Sequence, residues 1–160
     1  IKILEYGCSI APYYSTYRKY LSHKKQHWTL MDIPNHAFHF ARYKYQKDNS
    51  VVQMPVLYPD FFDNPFNLIK TKKFDIIIIT TVFEHLDEPL IVAKELHKHL
   101  NKGGVLLFDY ILSDAEGLDT VKGLEKREET LKFLFENFII NKDILEYLDS
   151  TLPMISAVKK

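Results

Sequence analysis

Four consecutive isoleucines, Ile76 to Ile79, preceded by Phe74-Asp75 and followed by Thr80-Thr81, constrain this chain more than any other segment. Side chains alternate between the two faces of a strand, so a run that is β-branched at every position has to be covered on both sides. That is the requirement of a central strand in a parallel sheet with helices packed on each face. The run is also far shorter than the ~20 apolar residues of a membrane-spanning helix, and no membrane span is expected.

The rest of the chain reads as strands alternating with helices around that centre. Strand patterns fall at Lys2 to Tyr6, His27 to Met31, Val51 to Met54, Phe74 to Thr80 and Val105 to Tyr110, with two more at Phe138 to Lys142 and Pro153 to Lys159. Helical spacing appears from Pro12 to Leu21, and after Pro34 through Ala37, Phe38, Ala41 and Tyr45. A third helix runs through Leu90, Ala93, Leu96 and Leu100, with Asp87 as its N-cap and Asn101-Lys102-Gly103-Gly104 as the stop that feeds the fifth strand. A fourth extends from about Leu124 to Asn137, and Pro55 to Lys73 reads as loop with one helical turn. The expected fold is a three-layer α/β sandwich: one doubly wound, mostly parallel seven-stranded sheet spanning residues 1 to 160, with an antiparallel strand pair at one edge.

Charge and cysteine content narrow the function classes. Lys plus Arg and Asp plus Glu each total 21, so the broad positive field of a protein that grips phosphate backbones is missing, and no nucleic-acid partner is expected. A single cysteine, Cys8, cannot form an internal disulfide, which makes a reducing cytoplasm the default.

Ligands of open parallel sheets bind beyond the carboxyl ends of the strands. Three such ends carry chemistry here. Glu5-Tyr6-Gly7-Cys8-Ser9-Ile10-Ala11 has small residues at alternate positions, the pattern of a tight turn with exposed backbone N–H groups. Asp32 ends the second strand, where a carboxylate can accept both hydroxyls of a ribose, and Thr80-Thr81-Val82-Phe83-Glu84-His85 ends the central one. Together they describe a nucleoside-binding crevice.

On these residues the chain resembles the class I S-adenosylmethionine-dependent methyltransferases, in the group that acts on small molecules. Ile3 to Ala11 looks like the family's glycine-rich first motif, and Met31-Asp32-Ile33 like its second-strand motif. The segment from Phe74 to Leu86, followed by Leu96 to Leu107 with its Gly103-Gly104, is similar to the family's third signature. The resemblance implies S-adenosylmethionine as cofactor, S-adenosylhomocysteine as product, and cofactor contacts from Glu5, Tyr6, Gly7, Cys8, Ser9, Asp32, Ile33, Thr80 and Thr81. It implies methyl transfer to a small-molecule or carrier-linked acceptor at oxygen, nitrogen or carbon. His85 is the candidate base for an acceptor that must lose a proton, and the loop from Ile111 to Gly123, with Asp114, Glu116 and Asp119, is the candidate acceptor surface.

Each of these has a plainer reading. His85 and Glu84 could serve only the local turn, Asp32 could cap a helix, Cys8 could be a small turn residue, and the loop acids could be solvated. The pairs His36/His39 and His97/His99 lack a third ligand in sequence, so no metal is expected. The first motif keeps one of its usual glycines, with Ser9 and Ala11 in the other small positions, and no acid follows the third strand to hold an adenine amino group. Because the sequence opens at the first strand, lid helices are expected to be lacking, with a homodimer or an upstream domain completing the site. The competing function is a non-catalytic, methyltransferase-like cofactor-binding or interaction module. A nicotinamide dehydrogenase fits poorly, since Gly7-x-Ser9-x-x-Pro12 places proline where that fingerprint needs its last glycine.

Overall fold

A computed structural model describes residues 1–62, 64–69, 73–112, 117, 119–141, 143–148 and 154–160. The isoleucine run forms β4 (Phe74–Ile79) at the centre of the sheet, between β1 (Lys2–Tyr6) and β5 (Leu100–Phe108). Both neighbours are parallel to it, with Ile3 opposite Ile76 on one side and Ile76 opposite Val105 on the other. β2 (His27–Met31) and β3 (Val51–Gln53) extend the sheet beyond β1; β7 (Ile155–Lys159) and β6 (Phe138–Ile139) extend it beyond β5. The order is β3-β2-β1-β4-β5-β7-β6, with β7 antiparallel to both neighbours and one place in from the edge.

The alternation within β4 feeds two separate cores. Ile77 and Ile79 pack with Val92, Ala93 and Leu96 of α3 (Pro89–His99) and with Leu131 and Leu134 of α5 (Arg127–Asn137). Ile78 packs on the opposite face with Tyr14 and Tyr17 of α1 (Pro12–Tyr20) and Phe38, Ala41 and Tyr45 of α2 (His36–Tyr45). Full burial of each such side chain contributes about 1.5–3 kcal/mol, so β4 anchors both helix layers at once.

Several boundaries differ from the sequence reading for local reasons. Asp87 does not cap α3; the cap position is Glu88, and Asp87 pairs with Lys122 at 3.6 Å. Gly103 and Gly104 lie inside β5 rather than before it, where the register with β4 shifts: Leu100 faces Phe74, yet Val105 faces Ile76. Gly103 (φ +73) supplies the left-handed residue of this bulge.

The helix expected from Leu124 to Asn137 is two, α4 (Val121–Glu125) and α5, broken at Lys126. The first turn of α4 is pinned to the short turn Phe83–His85, because Gly123 sits so close that a Cβ there would meet the Glu84 carbonyl oxygen at 2.7 Å. Two helical turns, Pro59–Phe61 and Pro65–Leu68, occupy the proline-rich loop, and a short α6 (Leu145–Leu148) precedes β7. The expected strand limits Lys142 and Pro153 lie outside the described residues. No helix among the described residues is long and apolar enough to cross a membrane.

Candidate functional site

The chain leaves β1 through a turn with three left-handed residues in five, Gly7 (φ +66), Ser9 (φ 49) and Ala11 (φ 57). Only glycine fits the first, since a Cβ on Gly7 would lie 2.3 Å from Val82 Cγ2 beyond β4. The ends of β1 and β4 therefore touch. Four N–H groups of this turn are engaged within the protein, where the sequence suggests exposed ones. Those of Gly7 and Cys8 donate to the Met31 carbonyl oxygen at 2.8 and 3.1 Å, that of Ser9 to Asp32 Oδ2 at 2.5 Å, and that of Ala11 to the Cys8 carbonyl oxygen at 2.6 Å. The turn is thus tied to the end of β2.

Glu5, the last inward acid of β1, reaches the start of α1. Its two carboxylate oxygens accept the Tyr13 N–H at 3.2 Å and the Tyr14 N–H at 3.0 Å. This long-range cap replaces the side-chain cap that Ala11 cannot provide. Burial pushes the Glu5 carboxyl up to about 7, against the two N–H donors that lower it. Tyr6 points into the core, and Cys8 is also buried, with burial and then the nearby acids pushing its thiol up. Tyr6 can therefore offer the crevice only its backbone, and Cys8 is a small turn residue rather than a nucleophile.

Asp32 stands at the end of β2, where its Oδ2 accepts from Ser9 and its Oδ1 from the Ile33 N–H (2.6 Å) and Asn35 Nδ2 (3.2 Å). A carboxylate offers roughly four lone-pair sites, so these three donors leave capacity for one ligand hydroxyl. Burial raises its pKa, opposed by the same three donors. The capping role read as its plainer alternative belongs to Asn35, whose Oδ1 accepts the Phe38 N–H at 2.8 Å at the start of α2. Beside Asp32, Ile33 is an exposed aliphatic side chain without core contacts, suited to the face of a flat apolar ring.

At the end of β4, Thr80 Oγ1 accepts from the Tyr13 hydroxyl at 3.3 Å, and the same hydroxyl lies 3.5 Å from Met154 Sδ. Tyr13, which the sequence reading passed over, ties Glu5 of β1 to Thr80 past β4. Thr81 adopts φ 55 and donates its N–H to Asp109 Oδ1 at 2.6 Å, just past β5. Asp109 was also missed, although its place at a strand end matched that of Asp32.

The turn that follows holds Glu84 and His85. His85 Nδ1 lies 2.8 Å from Asp119 Oδ1, an ion-pair contact not aligned as a hydrogen bond. Glu84 is 3% exposed, and both its carboxylate oxygens are buried without a hydrogen-bond partner. Burial raises its pKa; its own backbone N–H and then His85 lower it, and Asp109 and Asp119 raise it further. Asp119 is half-buried rather than a solvated loop acid, whereas Asp114 and Glu116 lie outside the described residues. Of the histidine pairs that sequence spacing offered, His97 and His99 serve packing, His99 stacking on Phe66 at 4.0 Å and His97 meeting Phe133 and Phe138 edge-on, whereas His36 and His39 stand exposed on α2.

A family model described as a methyltransferase domain matches residues 4–106 of the chain. No curated protein matches it in sequence. Among solved structures, the N-methyltransferase NodS from Bradyrhizobium japonicum WM9 is similar at TM-score 0.68 and 15% identity, covering 99% of this chain and 85% of that one. The CurJ carbon methyltransferase is similar at TM-score 0.70 and 17% identity, covering 99% of this chain and 48% of that one. The StiE O-MT is similar at TM-score 0.68 and 9% identity, covering 99% and 67%. At these identities the likeness shows the fold, and the three names span nitrogen, carbon and oxygen acceptors, so the fold does not select the acceptor atom.

Proposed function

This chain belongs to the methyltransferase-domain family as a class I methyltransferase, and on that premise we propose that it transfers the methyl group of S-adenosylmethionine to a small-molecule or carrier-linked acceptor. The observation that carries this reading is the junction of Gly7, Asp32 and Thr80. A turn tied to the end of β2 by Ser9 leaves one carboxylate position open at Asp32, next to the exposed Ile33 and across from Thr80. In this reading Asp32 holds one ribose hydroxyl and Ile33 covers the adenine. The turn from Glu5 to Ser9 and the pair Thr80-Thr81 border the methionine portion. The bound sulfonium supplies an electrophilic methyl group, so the protein's work is to align the acceptor with it.

His85 and Asp119 form the pair that activates the acceptor. The even balance of acids and bases favours a small or carrier-linked acceptor over a nucleic acid. One observation favours the second reading, a binding module without turnover: the Tyr13 hydroxyl bridges Thr80 and Met154 across the gap that methyl donor and acceptor would share.

Calorimetry with S-adenosylmethionine and S-adenosylhomocysteine tests the reading. Both should bind, and Asp32→Asn should weaken both by about tenfold to a hundredfold, the range for one hydrogen bond to a charged group. Undiminished affinity in Asp32→Asn removes Asp32 from the site. Binding without any S-adenosylhomocysteine release across hydroxyl, amine and carrier-linked acceptors supports the module.

A further inference from the structure

The cluster formed by Glu84, His85 and Asp119 has a property that methyl transfer alone does not explain. One donor atom from each residue lies within 4.8 Å of the other two. An ion with ligands at about 2.4 Å can hold donors up to about 4.8 Å apart, so the three side chains are close enough to share one ion. Two carboxylates and one imidazole form a donor set for a hard divalent cation, with coordination positions left over for water or another oxygen ligand.

Proximity of acids would mean little by itself. The second observation is the Glu84 carboxylate, which is buried with neither oxygen hydrogen-bonded and whose donor atom belongs to the cluster. Burying a carboxylate without a partner is costly, and a protein normally supplies a base or several N–H groups. Among the described residues no base is supplied here beyond one imidazole, and the only N–H acting on the carboxyl is that of Glu84 itself. The charged groups acting on Glu84 are Asp109, Asp119 and the single imidazole of His85. The lysines of the adjoining segment have acids of their own, Lys122 with Asp87 and Lys126 with Glu88.

The cluster is also held in place. The Thr120 N–H donates to the Glu84 carbonyl oxygen at 2.9 Å, and Thr120 Oγ1 donates to the Leu86 carbonyl oxygen at 3.1 Å. Gly123 closes against the same two carbonyls. The segment that carries Asp119 is therefore stitched to the turn that carries Glu84 and His85, which keeps the three donors at fixed spacing whether or not an ion is bound.

We propose that Glu84, His85 and Asp119 bind one divalent cation of the oxygen-preferring class, which neutralises the Glu84 carboxylate. The site rests on this geometry and not on the methyl-transfer reading. Where that reading also holds, His85 and Asp119 act as ligands rather than as a base, and the cation they hold lowers the pKa of a coordinated acceptor hydroxyl, whose proton leaves to water.

The test titrates Mn2+ into the full chain and follows the free-ion signal by electron paramagnetic resonance. One Mn2+ per chain should bind, with affinity falling on the order of tenfold or more in Glu84→Gln and in Asp119→Asn. Glu95→Gln, which alters a Glu/His pair on α3 away from the cluster, should leave it unchanged. Glu84→Gln removes an unpartnered charge and should fold, as circular dichroism would show. Absence of saturable Mn2+ binding by the folded chain overturns the proposal, as does binding that both substitutions leave intact. S-adenosylhomocysteine affinity, measured on the same samples without Mn2+, reports the methyl-transfer reading separately.

Discussion

Replacing Glu5 by Gln should make the protein less stable in mild acid and more stable above neutrality. The carboxyl has an ordinary pKa of 4.5 and stands at about 7 in the fold, raised by burial against the lowering effect of the Tyr14 and Tyr13 N–H groups. Between those values the unfolded chain has released this proton and the folded chain has kept it. Stability is therefore fully present below pH 4.5 and is lost as pH rises through 7. At ~1.4 kcal/mol per pH unit the loss totals about 3 kcal/mol. Gln does not titrate, but its one acceptor oxygen can serve Tyr13 or Tyr14 and not both, at a cost of about 1 kcal/mol. The variant should start about 1 kcal/mol below the parent near pH 4.5, cross it between about pH 5 and 6, and end about 2 kcal/mol above it at pH 8. Urea unfolding of both chains across this range measures the difference. Asp32 and Asp109, also raised by burial, titrate in both chains and cancel. Parallel stability curves for parent and variant would refute the argument, because they would mean that Glu5 is not held protonated by the fold.

Two further substitutions probe the turns that shape the site. Gly7→Ala combines a left-handed φ with a collision against Val82 Cγ2, and should lower stability by about 1–3 kcal/mol; adding Val82→Ala should return part of that loss in urea unfolding, since it removes the collision and leaves the φ strain. Thr120→Ala deletes the oxygen that caps the Gly123 N–H at 2.8 Å and the hydroxyl bonded to Leu86, and should cost about 1–2 kcal/mol in the thermal midpoint analysis.

The sheet was legible because its signals were local. The β-branched run of β4 and the helical spacing of Leu90, Ala93 and Leu96 fall where the structure has a strand and a helix; short length and β-branching at every position, rather than period, mark the first as a strand. Illegible features depended on contacts distant in sequence. Gly103-Gly104 looks like a helix stop, and only the shift of register against β4 makes it a bulge within β5. The break at Lys126 comes three residues after Gly123, which packs on the turn at Glu84, 39 positions earlier in the chain. In the candidate site, Glu5, Gly7, Asp32 and Thr80 could be named because each ends a strand. Asp119 could not be given its partner, since nothing in sequence joins it to His85, and Tyr13 looked like one more aromatic on a helix.

Acids and bases are equal in number in this chain but are buried unequally, and that asymmetry bears on which ligand the crevice suits. Glu5 lies near the end of β1, Asp32 at the end of β2 and Glu84 just past β4, all buried, with Asp109 half-buried past β5. Among the described residues the buried base is Arg127, which donates to the carbonyl oxygens of Tyr110, Tyr147 and Leu148. Lys19, Lys24, Lys25 and Lys44 stand exposed. Helix N-termini and turn N–H groups converge at the carboxyl ends of parallel strands, and many folds leave these donors open for phosphate. Here the protein's own carboxylates take them: Glu5 takes the first N–H groups of α1, Asp32 those of Ser9 and Ile33, and Asp109 that of Thr81. A pyrophosphate entering this crevice would meet carboxylates in place of open N–H donors. A ligand with a hydroxyl for Asp32 and positive charge elsewhere meets the opposite balance, the one that a ribose-bearing sulfonium presents.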